Sequence, residues 1–356
     1  YAASFSPRNA HVKDGAFSPD VAPLAYSGFG TGDFRKSAVA IRNHWGNDAT
    51  DFRYVSHKIY AGKPQLPGLP ATYANDKEAD TLELLLRDST TAAELTLFYT
   101  AFRNEPVITQ SVRLANPSES ALDIEKLYSA SVSLNDMDYD LWHLYGRWGA
   151  ERNLERTPLR HGQQSISSSR GSSSHYHNPF VALVRHGASE DYGEVYGCNL
   201  VYSGSFDITI DCDYYETTRL LAGINPDGFT WHLDPGETFQ TPEVVMVYTD
   251  GGVGEMSRIF HRLYREHLIR GRWKTEKRPL LINSWEAAYF NFDTDKLVNF
   301  AEHARDIGIE MLVMDDGWFG VRNNDNCSLG DWYVNEDKLP GGLGVLIDRV
   351  KALGLK

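Results

Sequence analysis

The chain has 356 residues, of which 48 are acidic and 35 basic, giving a formal charge of −13. This balance excludes a nucleic-acid partner and an anionic membrane partner, because both need clustered Lys and Arg. The apolar fraction of 42% and charged fraction of 23% are those of an ordinary globular protein, and no apolar run approaches the roughly 18 residues of a membrane span. The 8 Trp, 19 Tyr and 16 Phe suit a protein that stacks on sugars, and they suit large β-sandwich cores and barrel interiors equally well. Cys198, Cys212 and Cys327 are odd in number, far apart and without a CxxC pair. A disulfide framework or structural zinc is therefore not expected, and a reducing compartment is. Tyr1 is not followed by a charged n-region and an apolar h-region, so the expectation is a cytoplasmic protein with a trimmed N-terminus. Asn326-Cys327-Ser328 matches a glycosylation acceptor only as well as chance allows in a chain of this length.

From about Phe34 to Asp250 the sequence reads as strand almost throughout. Arg53 to Tyr60 alternates and then breaks at Gly62, Pro64, Pro67 and Pro70. Leu82–Leu86, Glu94–Phe102 and Val107–Leu114 follow at short intervals, with Asn116-Pro117-Ser118 as turn residues. Phe180–Val184, Gly193–Tyr202, Phe206–Ile210 and Val244–Tyr248 come later. Many short apolar runs punctuated by Gly, Pro and Asn predict a large antiparallel sandwich. The Ser-rich stretch Ser165–Ser174 reads as a loop.

The period then changes. Met256, Ile259, Phe260, Leu263, Tyr264 and His267 fall on one helical face. A charged connector from Arg272 to Arg278 ends at Pro279. Leu280 to Trp285 reads as a buried-type strand. A helix carrying Leu297, Phe300, Ala301 and Ala304 follows, capped by Asp293 or Thr294 and closed by Gly308. Ile309–Met314 is a second strand. After Pro340-Gly341-Gly342 comes a helix bearing Leu343, Leu346, Ile347, Val350 and Leu353 and ending at Gly354. Apolar strands alternating with helices predict a parallel sheet, open or closed into a barrel. The domains read as 1–252 for the sandwich, 253–278 for a linker helix and connector, and 279–356 for the βα part.

Both strands of the second part end in polar clusters, Asn283-Ser284-Trp285-Glu286 and Asp315-Asp316-Gly317-Trp318. In a barrel, the C-terminal ends of strands face the active-site mouth. Two adjacent carboxylates are costly to desolvate unless donors face them. A polyhydroxylated ligand supplies such donors, and Trp285 could cover the apolar face of its ring. Loop amides or a neighbouring Arg would serve as well, and both readings stand. Metal binding is the weaker reading, because Asp315, Asp316 and Asp325 have no partnering His and do not fit a calcium loop.

Three blocks here carry a resemblance: Asn283–Phe290, Met314–Gly320 and Ser328–Trp332. Together with Gly68–Tyr73, Ser173–His175, Asn178–Phe180 and Pro235–Glu243 upstream, they resemble the α-galactosidases of glycoside hydrolase family 36 along essentially the whole chain. The resemblance implies an N-terminal β-sandwich followed by the start of a (β/α)8 TIM barrel, here its first two βα units. It implies a retaining exo-α-galactosidase acting on melibiose- and raffinose-type oligosaccharides by double displacement, with no cofactor. Asp315 and Asp316 would bind the 4- and 6-hydroxyls of the terminal galactose, and Trp285 would line the same subsite. Trp148 resembles a sandwich-domain Trp that reaches the pocket mouth, while a core position fits it as well; His143 reads as structural. The family also implies a homo-oligomer, a tetramer, in which an N-terminal region corresponding to Tyr1–Gly32 closes a neighbour's pocket.

The family's nucleophile lies in a Lys-x-Asp motif, and these 356 residues contain none. The catalytic pair is therefore expected beyond Lys356, which makes this chain an inactive part of a longer enzyme. A non-catalytic sugar-binding or assembly module, an α-N-acetylgalactosaminidase and a galactosyl transferase are the alternatives. Asn at position 315 or 316 is expected to lower kcat/KM and to leave stability unchanged or raised, because crowded carboxylates repel.

Overall fold

The computed structural model describes residues 23–356, which fall into two compact units, one ending at Ile269 and the other beginning at Arg270. Among the described residues, the first carries sixteen strands. In chain order they are β1 (Val39–Arg42), β2 (Phe52–Ala61), β3 (Ala79–Asp88), β4 (Glu94–Phe102), β5 (Val107–Ala115), β6 (Leu122–Leu134), β7 (Tyr139–Arg147) and β8 (Ala150–Pro158). There follow β9 (Gly162–Ser168), β10 (His177–Arg185), β11 (Val195–Val201), β12 (Phe206–Cys212), β13 (Thr218–Ile224), β14 (Trp231–Leu233), β15 (Thr238–Gln240) and β16 (Glu243–Thr249). The ten-stranded sheet has the order β2-β3-β4-β5-β16-β11-β10-β7-β8, with β15 on β5. The six-stranded sheet runs β1-β6-β13-β12-β9, with β14 on β6. Every pairing in both sheets is antiparallel, and the expected sandwich is observed.

Two cores lie between the sheets. One joins Leu95, Leu97, Val112 and Leu114 of the large sheet to Ile41, Ile124 and Leu221 of the small one. The other joins Leu141, Val181, Leu183 and Leu200 to Phe206, Ile208 and Ile210. The large sheet's opposite face is also covered. Helix α1 (Gly252–His267) lays Met256, Ile259, Phe260 and Leu263 against Ala182, Val184, Val195, Val245 and Val247. Val244 and Val245 thus enter different cores, which is why β16 reads as an unbroken apolar run rather than an alternation.

The edge strands behave differently. The alternation in Arg53–Tyr60 predicts a half-buried strand, yet β2 is exposed along nearly all its length, Ile59 at 71%. Among the described residues it pairs only with β3, and the core reaches it only at Phe52. The Ser-rich stretch is also only partly loop. Ser165–Ser168 form the end of β9 and pair with β12, because the ladder satisfies their backbone whatever the side chains are.

Two blocks noted in the sequence meet at Glu243. Thr72 donates from its backbone N–H (2.7 Å) and its hydroxyl (2.9 Å), and Lys63 Nζ lies 2.7 Å away, with both charged side chains almost fully buried. Tyr73 next to it bonds His267 in both directions, N–H to carbonyl at 2.8 Å and carbonyl to Nδ1 at 2.9 Å, which ties this loop to the end of α1. A second buried network holds the segment before β1, where Arg219 donates to Asp33 at 2.5 Å and Lys36 Nζ stands 3.1 Å from Asp207. Such pairs are costly to break one partner at a time.

The second unit contains β17 (Leu281–Asn283), the single-turn α2 (Trp285–Ala288), α3 (Thr294–Asp306), β18 (Met311–Val313) and α4 (Leu343–Ala352). β17 and β18 are parallel, with Asn283 opposite Val313. Asp293 caps α3 by accepting from the Lys296 N–H at 2.8 Å, and Gly308 follows the helix at φ 88°. Phe292, Leu297, Ala301, Leu346 and Val350 form the core. Leu280 and Leu281 are more than half exposed in spite of their buried-type pattern, because each short strand here has a single neighbour. Trp285 begins the helical turn rather than ending the strand.

Two outcomes follow for the first unit. A Cβ at Gly197 would sit 2.6 Å from Phe260 Cε2 and 2.9 Å from Met256 Sδ, so β11 and α1 approach through a missing side chain. Gly197→Ala should destabilise by about 1–3 kcal/mol through overpacking, read as a lower urea midpoint at constant slope. His143 is 8% exposed and its Nδ1 has no partner among the described residues; burial pushes its pKa down, and it does the same to His177, whose ring lies 5.6 Å away. With folded values below unfolded ones, the unfolded state protonates first. Stability should therefore be complete above the usual value of 6.5 and fall as pH drops toward the folded values. His143→Gln should flatten that fall in thermal melts taken between pH 7.5 and about 5, the window in which an ordinary His titrates.

Candidate functional site

The site is built where the two parallel strands end. Beyond β17, Ser284 is 2% exposed and donates its N–H to the Val313 carbonyl at 3.0 Å, continuing the ladder by one step. Its hydroxyl accepts from the Asp315 N–H at 3.1 Å. The two strand ends are therefore sewn together before either carboxylate is placed.

Asn283 links three of the polar positions. Its Nδ2 donates to Asp315 Oδ2 at 2.6 Å, and its Oδ1 accepts from the Trp285 N–H at 2.8 Å. Asp315 Oδ1 accepts from the Asp316 N–H at 2.7 Å. Asp316 Oδ1 accepts twice, from the Gly317 N–H at 2.7 Å and from Arg322 Nε at 2.6 Å. The Arg322 guanidinium beside it holds the Asp316 carboxyl below the usual carboxylate range, and Asp316 in turn raises Arg322. The chain turns at Gly317, φ 97°, where a Cβ would stand 2.9 Å from the Phe290 ring.

Both alternatives open for the carboxylates are thus partly realised: they do hold loop amides, and Asp316 does hold an Arg. Capacity remains nonetheless. A carboxylate accepts about four hydrogen bonds. Asp315 uses one on each oxygen, and Asp316 Oδ2 has no partner among the described residues. Both side chains are half-buried rather than sealed in. Trp285, tied to the site through Asn283, is half-buried and makes T-shaped contacts with Tyr289 (5.1 Å, 80°) and Phe290 (5.0 Å, 90°). Acceptors with unfilled capacity and an aromatic side chain at the same strand ends are the residue types that take a ring with hydroxyls on its rim and C–H groups on its face.

Asp325 does not join the two aspartates. Arg322 Nη2 stands 3.7 Å from it, and its side chain is 81% exposed. Trp148 lies on the other unit, in the β7–β8 turn, and is 85% exposed, so the core position considered for it does not apply. Of the expected N-terminal loop, residues 1–22 lie outside the described residues.

Two cations that the motif reading passed over complete the arrangement. Arg322 is 5% exposed and Lys338 half-buried. Lys338 Nζ donates to the carbonyls of Phe290 (2.9 Å), Gly317 (3.0 Å) and Arg322 (3.2 Å), bridging the loops that follow β17 and β18. Burial lowers its pKa. The available signal was a lone Arg within the polar run Val321–Ser328, six residues after Asp316.

This geometry reverses the stability expected for Asp316→Asn. The carboxylate faces a guanidinium rather than only its neighbour, so removing its charge takes from the buried Arg322 its direct ion pair and leaves it the exposed Asp325 at 3.7 Å. Asp316→Asn should lower the melting temperature by several degrees, and Asp315→Asn, whose partners are uncharged, by less. Thermal unfolding of the two variants side by side tests this order.

Residues 2–234 match the Glycosyl hydrolase family 36 N-terminal domain, and residues 238–356 match the Melibiase family. The chain is 50% identical over 354 residues to the α-galactosidase AgaA of Geobacillus stearothermophilus, covering 99% of this chain and 48% of that protein. It is 45% identical over 343 residues to the bifunctional α-galactosidase/sucrose kinase AgaSK of Mediterraneibacter gnavus, covering 96% of this chain and 37% of that one. A crystal structure of an AgaA variant in complex with raffinose superposes with a TM-score of 0.93 at 48% identity, over 99% of this chain and 51% of that chain. The chain spans about half the length of the curated relatives it matches or less. The two family matches between them cover nearly every residue, and the chain belongs to glycoside hydrolase family 36.

Proposed function

We propose that this chain forms the galactose-recognition part of a retaining exo-α-galactosidase acting on raffinose- and melibiose-type oligosaccharides. The observation that carries the reading is the pair Asp315 and Asp316, half-buried at the ends of parallel strands with acceptor capacity unfilled, and linked to Trp285 through Asn283. In this reading the carboxylates accept the 4- and 6-hydroxyls of the terminal galactose, and Trp285 lies against its C–H face. The axial 4-hydroxyl separates galactose from glucose. Trp148, exposed on the first unit, is proposed as a sugar contact in its own right. Relatives named as α-galactosidases, and a neighbour crystallised with raffinose, support the substrate class.

The βα order of the second unit, with β17 and β18 parallel and α3 between them, supports a reading as the first two units of a (β/α)8 barrel. The half-exposed Leu280 and Leu281 would be covered once further strands and helices are added. The proposed division of these residues is a sandwich over 1–252, the segment 253–278 made of α1, which packs on that sandwich, and a connector, and the barrel start over 279–356, with a cytoplasmic homotetramer as the assembly.

Asp315 and Asp316 are assigned to binding, not to bond cleavage. Retention needs two carboxyls roughly 5–5.5 Å apart on opposite sides of the glycosidic bond. These two are neighbours in sequence, joined by a hydrogen bond from the Asp316 N–H to Asp315 Oδ1. With no Lys-x-Asp among the 356 residues, the nucleophile and the acid/base are proposed to come from other parts of an enzyme of the relatives' length. By themselves, these residues would bind sugar without hydrolysing it.

In the full-length protein, nitrophenyl α-galactoside should be hydrolysed in preference to its N-acetyl analogue. The opposite preference would replace the assignment with an α-N-acetylgalactosaminidase. Asn at position 315 or 316 should lower kcat/KM by roughly ten- to a hundredfold, the loss of one charge-assisted hydrogen bond in the transition state. Near-normal kcat/KM in both variants would remove the pair from the sugar site.

A further inference from the structure

Asp315 and Asp316 are adjacent, yet they are held in different ways. Asp315 takes its hydrogen bonds from an amide side chain and a backbone N–H. Asp316 takes a cation and a backbone N–H on the same oxygen, Oδ1. Two donors on one oxygen leave the other without a partner among the described residues. They also fix the plane of the carboxyl group, because rotation about its Cβ–Cγ bond would break both bonds at once.

Arg322 is itself immobilised. Its Nη1 donates to the Cys327 carbonyl at 2.7 Å and to that of Asn324 at 3.3 Å, and its Nη2 faces Asp325 at 3.7 Å. The guanidinium stands 5.6 Å from the Phe290 ring centre and 5.9 Å from that of Phe319. Its own carbonyl is held by Lys338, which also grips Gly317 and Phe290. A rigid, multiply bonded cation aimed at one carboxylate oxygen is a device for orientation. A lysine, a point charge on a flexible stem, could neutralise Asp316 but could not span Asp316 and the Cys327 carbonyl in a single plane.

We infer that Arg322 is a positioning residue that presents Asp316 Oδ2 to the sugar hydroxyl, acting on recognition only through Asp316. The inference rests on the reading of Asp316 as a sugar contact. It assigns the Val321–Ser328 loop to the binding site without any contact with substrate. The benefit is pre-organisation: an acceptor already fixed in its bound orientation loses no rotational freedom when the sugar arrives.

The test is a double-mutant cycle on kcat/KM for nitrophenyl α-galactoside in the full-length protein, with Arg322→Met, Asp316→Asn and the double variant. Arg322→Met should cost roughly tenfold in the native background and less than about twofold when Asn occupies 316, because the group it orients is already lost. Equal, multiplicative losses in the two backgrounds would overturn the positioning role even if Asp316→Asn is strongly impaired. An Asp316→Asn enzyme with native kcat/KM would instead overturn the reading of the site beneath it. Should Arg322→Met fail to fold, Arg322→Lys takes its place in the cycle. It should recover the melting temperature of the native protein but not its kcat/KM, and full recovery of both would show that charge alone suffices and overturn the inference.

Discussion

The central strands of the ten-stranded sheet carry apolar side chains on both faces, and the first unit is arranged around keeping water from both. On one side the six-stranded sheet supplies Phe206, Ile208 and Ile210. On the other, α1 supplies Met256, Ile259, Phe260 and Leu263. A sheet of this width cannot be covered by a single partner, so the chain crosses between the sheets repeatedly and then returns as a helix to close the remaining face. Where neither layer reaches, at β2 and β8, the strands are left to solvent. The Lys63–Glu243 pair and the Tyr73–His267 bonds hold the loop before β3 against β16 and the end of α1.

A different constraint governs the second unit. Two parallel strands end side by side, and the chain must leave both ends without stranding their backbone groups. Ser284, Asn283 and the Asp315 and Asp316 carboxylates answer most of that need locally. The same carboxylates keep acceptor sites unfilled. Their structural bonds and the sugar-binding role proposed for them are therefore not rival explanations. The first set fixes the direction in which the second can act, and the Arg322–Asp316 pair is where the two meet most closely.

Much of this was legible in the residues alone. Short apolar runs separated by Gly, Pro and Asn marked the strands, Glu94–Phe102 to the residue. A 3.6-residue period marked α1, and the pair Asp293-Thr294 and Gly308 marked the ends of α3, with Asp293 proving to be the cap. The candidate acceptors were legible because carboxylates at the end of an apolar strand conflict with their surroundings unless something donates to them. The ordered blocks that place the chain in family 36 were legible too. Local rules of this kind depend only on neighbours a few positions away, and the sequence carries those neighbours directly.

What the sequence by itself determined, then, was that the first part is built of strands, which runs form β2–β5, β10–β12 and β16, where α1, α3 and α4 lie, and that polar groups crowd two strand ends; β6–β9 and β13 were not marked one by one. Tertiary structure decided everything that depends on distant partners. It left β2 exposed although its pattern alternates, because exposure depends on how far the opposing layer extends. It carried Ser165–Ser168 into β9, because β12 was there to pair with. It drew Arg322 onto Asp316 and Lys338 onto three carbonyls, and so made one carboxylate an ion-paired, oriented acceptor and its neighbour a differently held one. Spacing along the chain cannot specify such contacts, since the bond that orients Asp316 depends on where a loop returns in space, and packing sets that.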